Sequence, residues 1–232
     1  MDTEQYVSKL QAQMNPAANP SNAIPMKKYM KGKFEYLGIK SPERVQLLSA
    51  FLKENGLPHP DNVSPIIKSL WGLPQREYQY CAMEIARKKL KQVNVDFLTT
   101  IEFMIESKSW WDTVDLIAAT LAGGFFQRFP DHIPEVPDKW SVSPNMWFNR
   151  SAILYQLKYK VKTDTDILTR YIHPHTGSKE FFIQKAIGWS LREYSKTNPE
   201  WVLGFIAANK LKPLSRREGL KWLNRQGLGA DN

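Results

Sequence analysis

Apolar residues recur along this chain at i, i+3, i+4 and i+7, and the runs are cut by Pro, Gly and by Ser, Asp or Asn starts, the pattern of amphipathic helices. Strand signals are scarce. Period-two alternation is short wherever it occurs, and no Asn-Gly or Asp-Gly turn lies between alternating runs. Ser41-Pro42-Glu43 predicts a helix with Ser41 as N-cap and Pro42 at the first position, its apolar face formed by Leu47, Leu48, Phe51 and Leu52. Pro74 precedes a helix predicted from Gln75 to Leu90. Ser143-Pro144 opens one through Trp147, Arg150 and Leu154, and Ser178 opens one through Ile183, Ile187, Leu191 and Tyr194. Asn198-Pro199 and Leu214-Ser215 open the last two. The pattern predicts an all-α protein of about a dozen helices, many able to pair as antiparallel hairpins. The chain 1–232 reads as a single domain, and the stretch from Pro130 to Pro144 reads as a bend, not a linker.

The hairpins would recur every 35–45 residues or so, the rhythm of HEAT-like repeats, although the sequence shows no clean self-similarity. Stacked repeats of this kind present a concave face to extended partners. Composition agrees with a folded chain, with 42% hydrophobic and 12% aromatic residues. The one cysteine, Cys81, rules out a disulfide framework within the chain, fits a reducing compartment, and lies in a helical apolar pattern that suggests a buried, inert thiol. Met1 to Leu10 carries no apolar signal segment, and no run approaches the roughly 18 apolar residues of a membrane span, so a soluble cytoplasmic protein is expected. The net charge is +9, unevenly placed: residues 1–140 hold 17 Lys and Arg against 16 Asp and Glu, and residues 141–232 hold 15 against 7. A basic half points to a polyanion, most often nucleic acid, although a soluble protein that happens to be basic gives the same tally.

Candidate chemistry lies on three helices. In Ser109-Trp110-Trp111-Asp112-Thr113-Val114-Asp115, helical spacing puts Trp110, Val114 and Ile117 on a core stripe, and Trp111 and Asp115 on a second stripe. A carboxylate against an indole suits a reaction in which positive charge develops on a substrate. The second helix places Trp147 and Arg150 three apart; the third places Lys185, Trp189 and Arg192 on one face, away from Ile183, Ile187 and Leu191. Cations interleaved with indoles suggest a surface that meets phosphates and sugars or bases. Plainer roles compete. Trp147 reads as a packing residue, Asp112 as the first-turn carboxylate that favours the helix dipole, and Arg150 as an ion-pair partner of Asp115. The His173-Pro174-His175 turn resembles no metal site and reads as solvated. The basic run Arg87, Lys88, Lys89 and Lys91 reads as a solvated helix end. Gly123-Gly124 lacks the flanks of a phosphate loop.

Several longer stretches carry a family resemblance. They are Tyr29-Met30-Lys31 with Phe34 and Leu37-Gly38-Ile39, Pro42-Glu43-Arg44, Lys108 to Asp115, Trp147 to Leu154, Ser178 to Trp189, and Leu214 to Glu218. In that order they resemble the bacterial DNA alkylation repair family of HEAT-like-repeat DNA glycosylases. The resemblance implies a C-shaped helical solenoid with a basic concave groove for duplex DNA. It implies monofunctional hydrolysis of the N-glycosidic bond of cationic alkylated purines, N3-methyladenine and N7-methylguanine, as the first step of base excision repair. By the same resemblance Asp115 is the catalytic carboxylate, Trp111 and Trp189 are aromatic walls, and Arg150 is a DNA-contacting, site-shaping cation. Tyr29, Lys179, Lys185, Arg192, Ser215 and Arg216 are expected DNA-binding residues. No cofactor, metal, membrane or obligate protein partner is implied, and a cytoplasmic, nucleoid-associated monomer is expected. The rival readings are a non-catalytic HEAT-like protein that binds damaged or branched DNA and a protein-interaction scaffold.

Overall fold

Proline and short polar caps set many of the helix starts, and the buried faces then decide which helices meet. The computed structural model describes residues 1–229, and among these there is no β-strand, only an isolated bridge between Glu35 and Gln75. The chain packs as two compact units, Met1–Thr100 and Ile101–Asn232.

The first unit contains α1 (Thr3–Met14), α2 (Pro20–Tyr29), α3 (Ser41–Asn55), α4 (Pro60–Gly72) and α5 (Arg76–Lys89). Tyr6, Val7, Leu10 and Met14 line one face of α1, which packs on α3 and α4. In α4 the buried set is Val63, Ile66, Ile67, Leu70 and Trp71. Burying an aliphatic side chain of this size stabilises by about 1.5–3 kcal/mol relative to exposure, which outweighs the weak intrinsic preferences of short helices. The α3 start differs by one residue from expectation: Lys40 is the cap and Ser41 is the first helical residue, its hydroxyl accepting from Arg44 instead of capping the backbone. Two charged residues of α5, Arg76 and Glu77, are fully buried. The Glu77 carboxylate accepts from the backbone N–H groups of Leu37, Gly38 and Ile39, and the Arg76 guanidinium lies 3.7 Å from the centroid of the Phe34 ring. Gly38 has φ +86°, and a Cβ there would stand 2.0 Å from the Asn19 carbonyl oxygen, so this close approach needs glycine. Cys81 is buried, and desolvation pushes its thiol up to about 12. At the end of α5, Arg87 and Lys88 pair with Glu84, whereas Lys89 is buried and donates to Gln92; that end is not simply solvated.

α6 (Phe97–Glu106) runs across the boundary between the units. The second unit continues with α7 (Trp111–Leu116), a π-helical stretch over Ile117–Ala122, α8 (Gly123–Arg128), α9 (Glu135–Ser141), α10 (Met146–Leu154), α11 (Thr165–Ile172), α12 (Phe181–Ser195), α13 (Pro199–Ala208) and α14 (Pro213–Arg225). α10 and α12 begin two to three residues later than Ser143-Pro144 and Ser178 suggest, because Asn145 and Glu180 take the cap positions. Asn198 caps α13 as expected, its side chain accepting from the Trp201 N–H. The most extensive helix pair is α12 with α14. A Cβ on Gly188 would stand 2.5 Å from Glu218 Cβ and 2.9 Å from the Ser215 carbonyl oxygen, so the absent side chain lets these helices close. The His173-Pro174-His175 turn is not solvated throughout. His175 is half-buried against the Ser141 carbonyl, which lowers its imidazole pKa through burial, and His173 stacks on Phe205.

Candidate active site

The carboxylate singled out by sequence, Asp115, lies on α7, two residues before the π-helical stretch. π-helical turns are rare and concentrate at functional positions. Val114 and Ile117 are fully buried as the core stripe predicts. Trp110 departs from it: it caps α7 in extended backbone (φ −159°, ψ 163°). Its indole packs instead against Trp147 (centroids 5.7 Å apart) and Phe182 (5.1 Å), and Trp147 and Phe182 are themselves 5.1 Å apart. Trp111 begins α7 four residues before Asp115, so both project from one side of the helix, and both are half-buried.

Arg150 ties three helices together. From α10 its Nε–H donates to Asp115 Oδ1 at 2.7 Å and its Nη2–H to Asp115 Oδ2 at 3.0 Å, a fork on a fork. Its Nη1–H donates to the Phe182 carbonyl in the first turn of α12. The Arg150 side chain is only 4% exposed, and Asp115 retains 18%. Arg150 therefore shapes the site from beneath; with these donors committed and its surface covered, it is not placed as a surface contact to DNA, contrary to that part of the expectation. Burial raises the pKa of the Asp115 carboxyl, Arg150 opposes the rise, and Asp112 adds to it; the net displacement is upward.

On α12, Lys185, Trp189 and Arg192 occur at the expected helical spacing, and Trp189 follows Phe182 by two turns on the same side. Trp189 is half-buried. Lys185 and Arg192 converge on a carboxylate that sequence reasoning did not single out: Glu218 of α14 lies 3.0 Å from Lys185 Nζ and 2.6 Å from Arg192 Nη1. Burial raises the Glu218 pKa, but the two cations lower it further, and the net displacement is downward. Ser215 is fully buried, and its hydroxyl donates to the Gln184 carbonyl, so it joins α14 to α12 instead of facing a phosphate as expected. Arg216 is half-buried on α14, and Lys179 is exposed just before α12. Tyr29, 67% exposed, belongs to the first unit.

Phe182 and Glu218 are the site residues that sequence reasoning missed. Phe182 lies within the stretch from Ser178 to Trp189, but nothing in its spacing announces that its carbonyl accepts from an arginine 32 residues away. A 390 Å³ cavity in the second unit, lined by residues including Gln156, Lys160, Thr163 and Glu193, includes none of Trp111, Asp115, Arg150 or Trp189. Among the described residues no group of three or more His, Cys, Asp or Glu side chains is placed to hold a metal ion, and no helix is long and apolar enough to cross a membrane.

No curated protein sequence matches the chain. Among solved structures, that of a predicted DNA alkylation repair enzyme from Enterococcus faecalis is 36% identical, with a TM-score of 0.82, covering 88% of this chain and 96% of the other. The X-ray structure of AlkD2 from Streptococcus mutans shares the fold at a TM-score of 0.61 and 14% identity, covering 97% and 98%. The sequence model for the DNA alkylation repair enzyme family matches residues 10–223, nearly the whole helical array and all of the site just described, and the chain belongs to that family.

Proposed function

We propose that this protein is a monofunctional DNA glycosylase that hydrolyses the N-glycosidic bond of cationic alkylated purines, N3-methyladenine and N7-methylguanine, in duplex DNA. The observation that carries the reading is the Asp115 carboxylate, partly exposed, gripped in a fixed orientation by the buried Arg150 fork and lodged on the same short helix as Trp111. Alkylation at N3 or N7 leaves the purine positively charged, so the base departs neutral when the glycosidic electron pair moves onto it. A strong general acid is then unnecessary, which suits one carboxylate in place of the pair most glycosidases use. Charge builds on the deoxyribose as the bond breaks. Asp115 stabilises that charge and orients the water that attacks C1′, the water's proton passing to solvent. Trp111 and Trp189 supply indole faces that attract the cationic lesion or sugar by roughly 0.5–2 kcal/mol each. Lys179, Lys185, Arg192 and Arg216 are the candidate phosphate contacts on the second unit.

The test is release of N7-methylguanine from methylated duplex DNA by the native protein and by Asp115→Asn, compared at matched DNA occupancy. A loss of about 100-fold in the variant is expected, the scale for one catalytic electrostatic group. DNA binding with no release by either protein would replace the enzyme with a non-catalytic DNA-binding protein.

A further inference from the structure

Helix starts recur along this chain at one interval. α3, α5, α7, α10 and α12 begin at Ser41, Arg76, Trp111, Met146 and Phe181, each 35 residues after the last. Asp115, Arg150 and Lys185 therefore share one position, the fifth, of α7, α10 and α12, and neighbouring repeats supply the carboxylate and the cation that grips it. The fourth position repeats as well. It is Gln79 in α5, Asn149 in α10 and Gln184 in α12, and each turns its amide back onto the chain leading into its own helix.

Gln79 Nε2 donates to the carbonyls of Leu70, Trp71 and Leu73, which lie 9, 8 and 6 residues earlier. Asn149 Nδ2 donates to the carbonyls of Trp140, Ser141 and Ser143 at 2.9, 3.0 and 2.9 Å, at the same offsets of 9, 8 and 6. Gln184 Nε2 keeps the last of these, to the Ser178 carbonyl at 3.1 Å. Trp140 and Ser141 end α9, where carbonyls run out of helical donors. An amide has two hydrogens, and here they serve three oxygens, so the turn between α9 and α10 is held from three sides. The clamp is buried: Asn149 is 9% exposed and the next residue, Arg150, 4%. α7 has no counterpart. Its fourth residue is the fully buried Val114, and the Ser109 hydroxyl donates instead to the carbonyls of Ile105 and Glu106.

We infer that Asn149 is a positioning residue for the reaction: it locks the first turn of α10 onto the end of α9 and so holds the Arg150 fork beneath Asp115. Its three bonds all run to α9 and the turn after it, so it acts through Arg150. A bidentate fork tolerates little displacement, because both N–H groups must meet both carboxylate oxygens at once. With no amide clamp on the α7 side, the alignment of the pair falls to α10. The charged groups that bear on Asp115 are Arg150 across the pair and Asp112 on α7. The titratable group facing the clamp is His175, whose Nε2 meets the Ser141 carbonyl at 3.0 Å. The part of this inference that concerns catalysis rests on the proposed function; the part that concerns the Asp115–Arg150 pair does not, and its test needs neither DNA nor excision.

The experiment follows the Asp115 carboxyl by NMR in the full-length protein labelled with carbon-13 at its aspartates, the signal being assigned by its loss in Asp115→Asn. Asn149→Leu keeps the volume of the side chain and removes its donors. Asp115 should then titrate at higher pH than in the native protein, because a slack fork opposes the effect of burial less. Asn149→Gln should restore the native curve, since Gln79 spans the same three offsets. Gln79→Leu removes the same clamp from α5 and should lower the melting temperature while leaving the Asp115 curve unmoved, which separates positioning from general destabilisation. Should Asn149→Leu not fold, Asn149→Ser, with a shorter side chain and one hydroxyl donor, carries the same expectation. In single-turnover release of N7-methylguanine, the maximal rate should fall by up to about 100-fold in Asn149→Leu, the scale of a misplaced catalytic group, with the half-saturating DNA concentration little changed. An Asp115 curve that is the same in the native protein and the Asn149 variants overturns the proposal. So does a shift that Gln79→Leu reproduces or that Asn149→Gln fails to remove. A shifted curve with no release by the native protein would keep the clamp and remove the glycosylase reading; release with an unmoved curve would remove the clamp alone.

Discussion

Replacing Arg150 by Met leaves the volume of the site nearly intact and removes the fork that links α7, α10 and α12. Two charge-assisted hydrogen bonds to Asp115 and one to the Phe182 carbonyl are lost. Because Arg150 is 4% exposed and Asp115 18%, little water replaces them. Removing one partner of a buried ion pair costs about 3–5 kcal/mol. A native stability of about 5–15 kcal/mol absorbs that, so the variant should fold. For a chain of this size the melting temperature should fall by about 6–20 °C. The sign with pH follows from Asp115. Its folded pKa is already raised by burial, and without Arg150 nothing opposes the rise. A carboxyl with a raised folded pKa favours folding while protonated and loses that contribution as pH climbs through the folded pKa. The stability gap between native and variant should therefore be widest at neutral and alkaline pH and narrow in acid. Excision should show the same group: the acid limb of the single-turnover rate should move to higher pH in Arg150→Met, with a loss of about 100-fold or more at neutral pH. Differential scanning calorimetry across pH and single-turnover release of N7-methylguanine measure the two effects. An acid limb in the same place in both proteins would refute the idea that Arg150 acts by holding Asp115 ionised.

Other consequences can be checked separately. Glu218→Gln releases Lys185 and Arg192 from their carboxylate, so non-specific duplex binding should tighten and its log K against log salt slope should steepen by up to about 0.9 for each cation that reaches a phosphate; an unchanged slope would leave both cations without a DNA role. Gly38→Ala must hold φ +86° and place a Cβ 2.0 Å from the Asn19 carbonyl, and urea unfolding should show a loss of at least about 2 kcal/mol. The Cys81 thiol, buried with a pKa of about 12, should resist a thiol reagent at pH 8 in the native protein and react at once on denaturation.

Much of the site's membership was legible in local spacing. Trp111 and Asp115 lie four apart, Lys185 and Trp189 likewise, and helical geometry places such pairs on one face whatever surrounds them. The Asp115–Arg150 pairing was legible as one option among several, because opposite charges on neighbouring faces are common and spacing cannot choose among them. Trp110 read as part of the core stripe because the helix was expected to include it. Its packing on Trp147 and Phe182 holds it in extended backbone one residue outside. Ser215 misled for a related reason: serine is ordinarily a surface residue, and only the closeness of α12 and α14 at Gly188 buries it.

What the sequence determined by itself is whatever depends on neighbours within about one turn: helical periodicity, proline-led starts, the inert setting of Cys81, and the candidate faces of α7, α10 and α12. Helix docking settles the rest, which depends on groups distant in the chain. Arg150 grips Asp115 from 35 residues away, Glu218 gathers Lys185 and Arg192 from the next helix but one, and Glu77 reaches back 38 to 40 residues to fix the loop beside Tyr36. Helix faces are set by a rotation of 100° per residue, which the sequence carries in full. Which charged groups end up facing one another is set by how those faces dock, and that follows from the shape complementarity of whole helices, to which no single spacing corresponds.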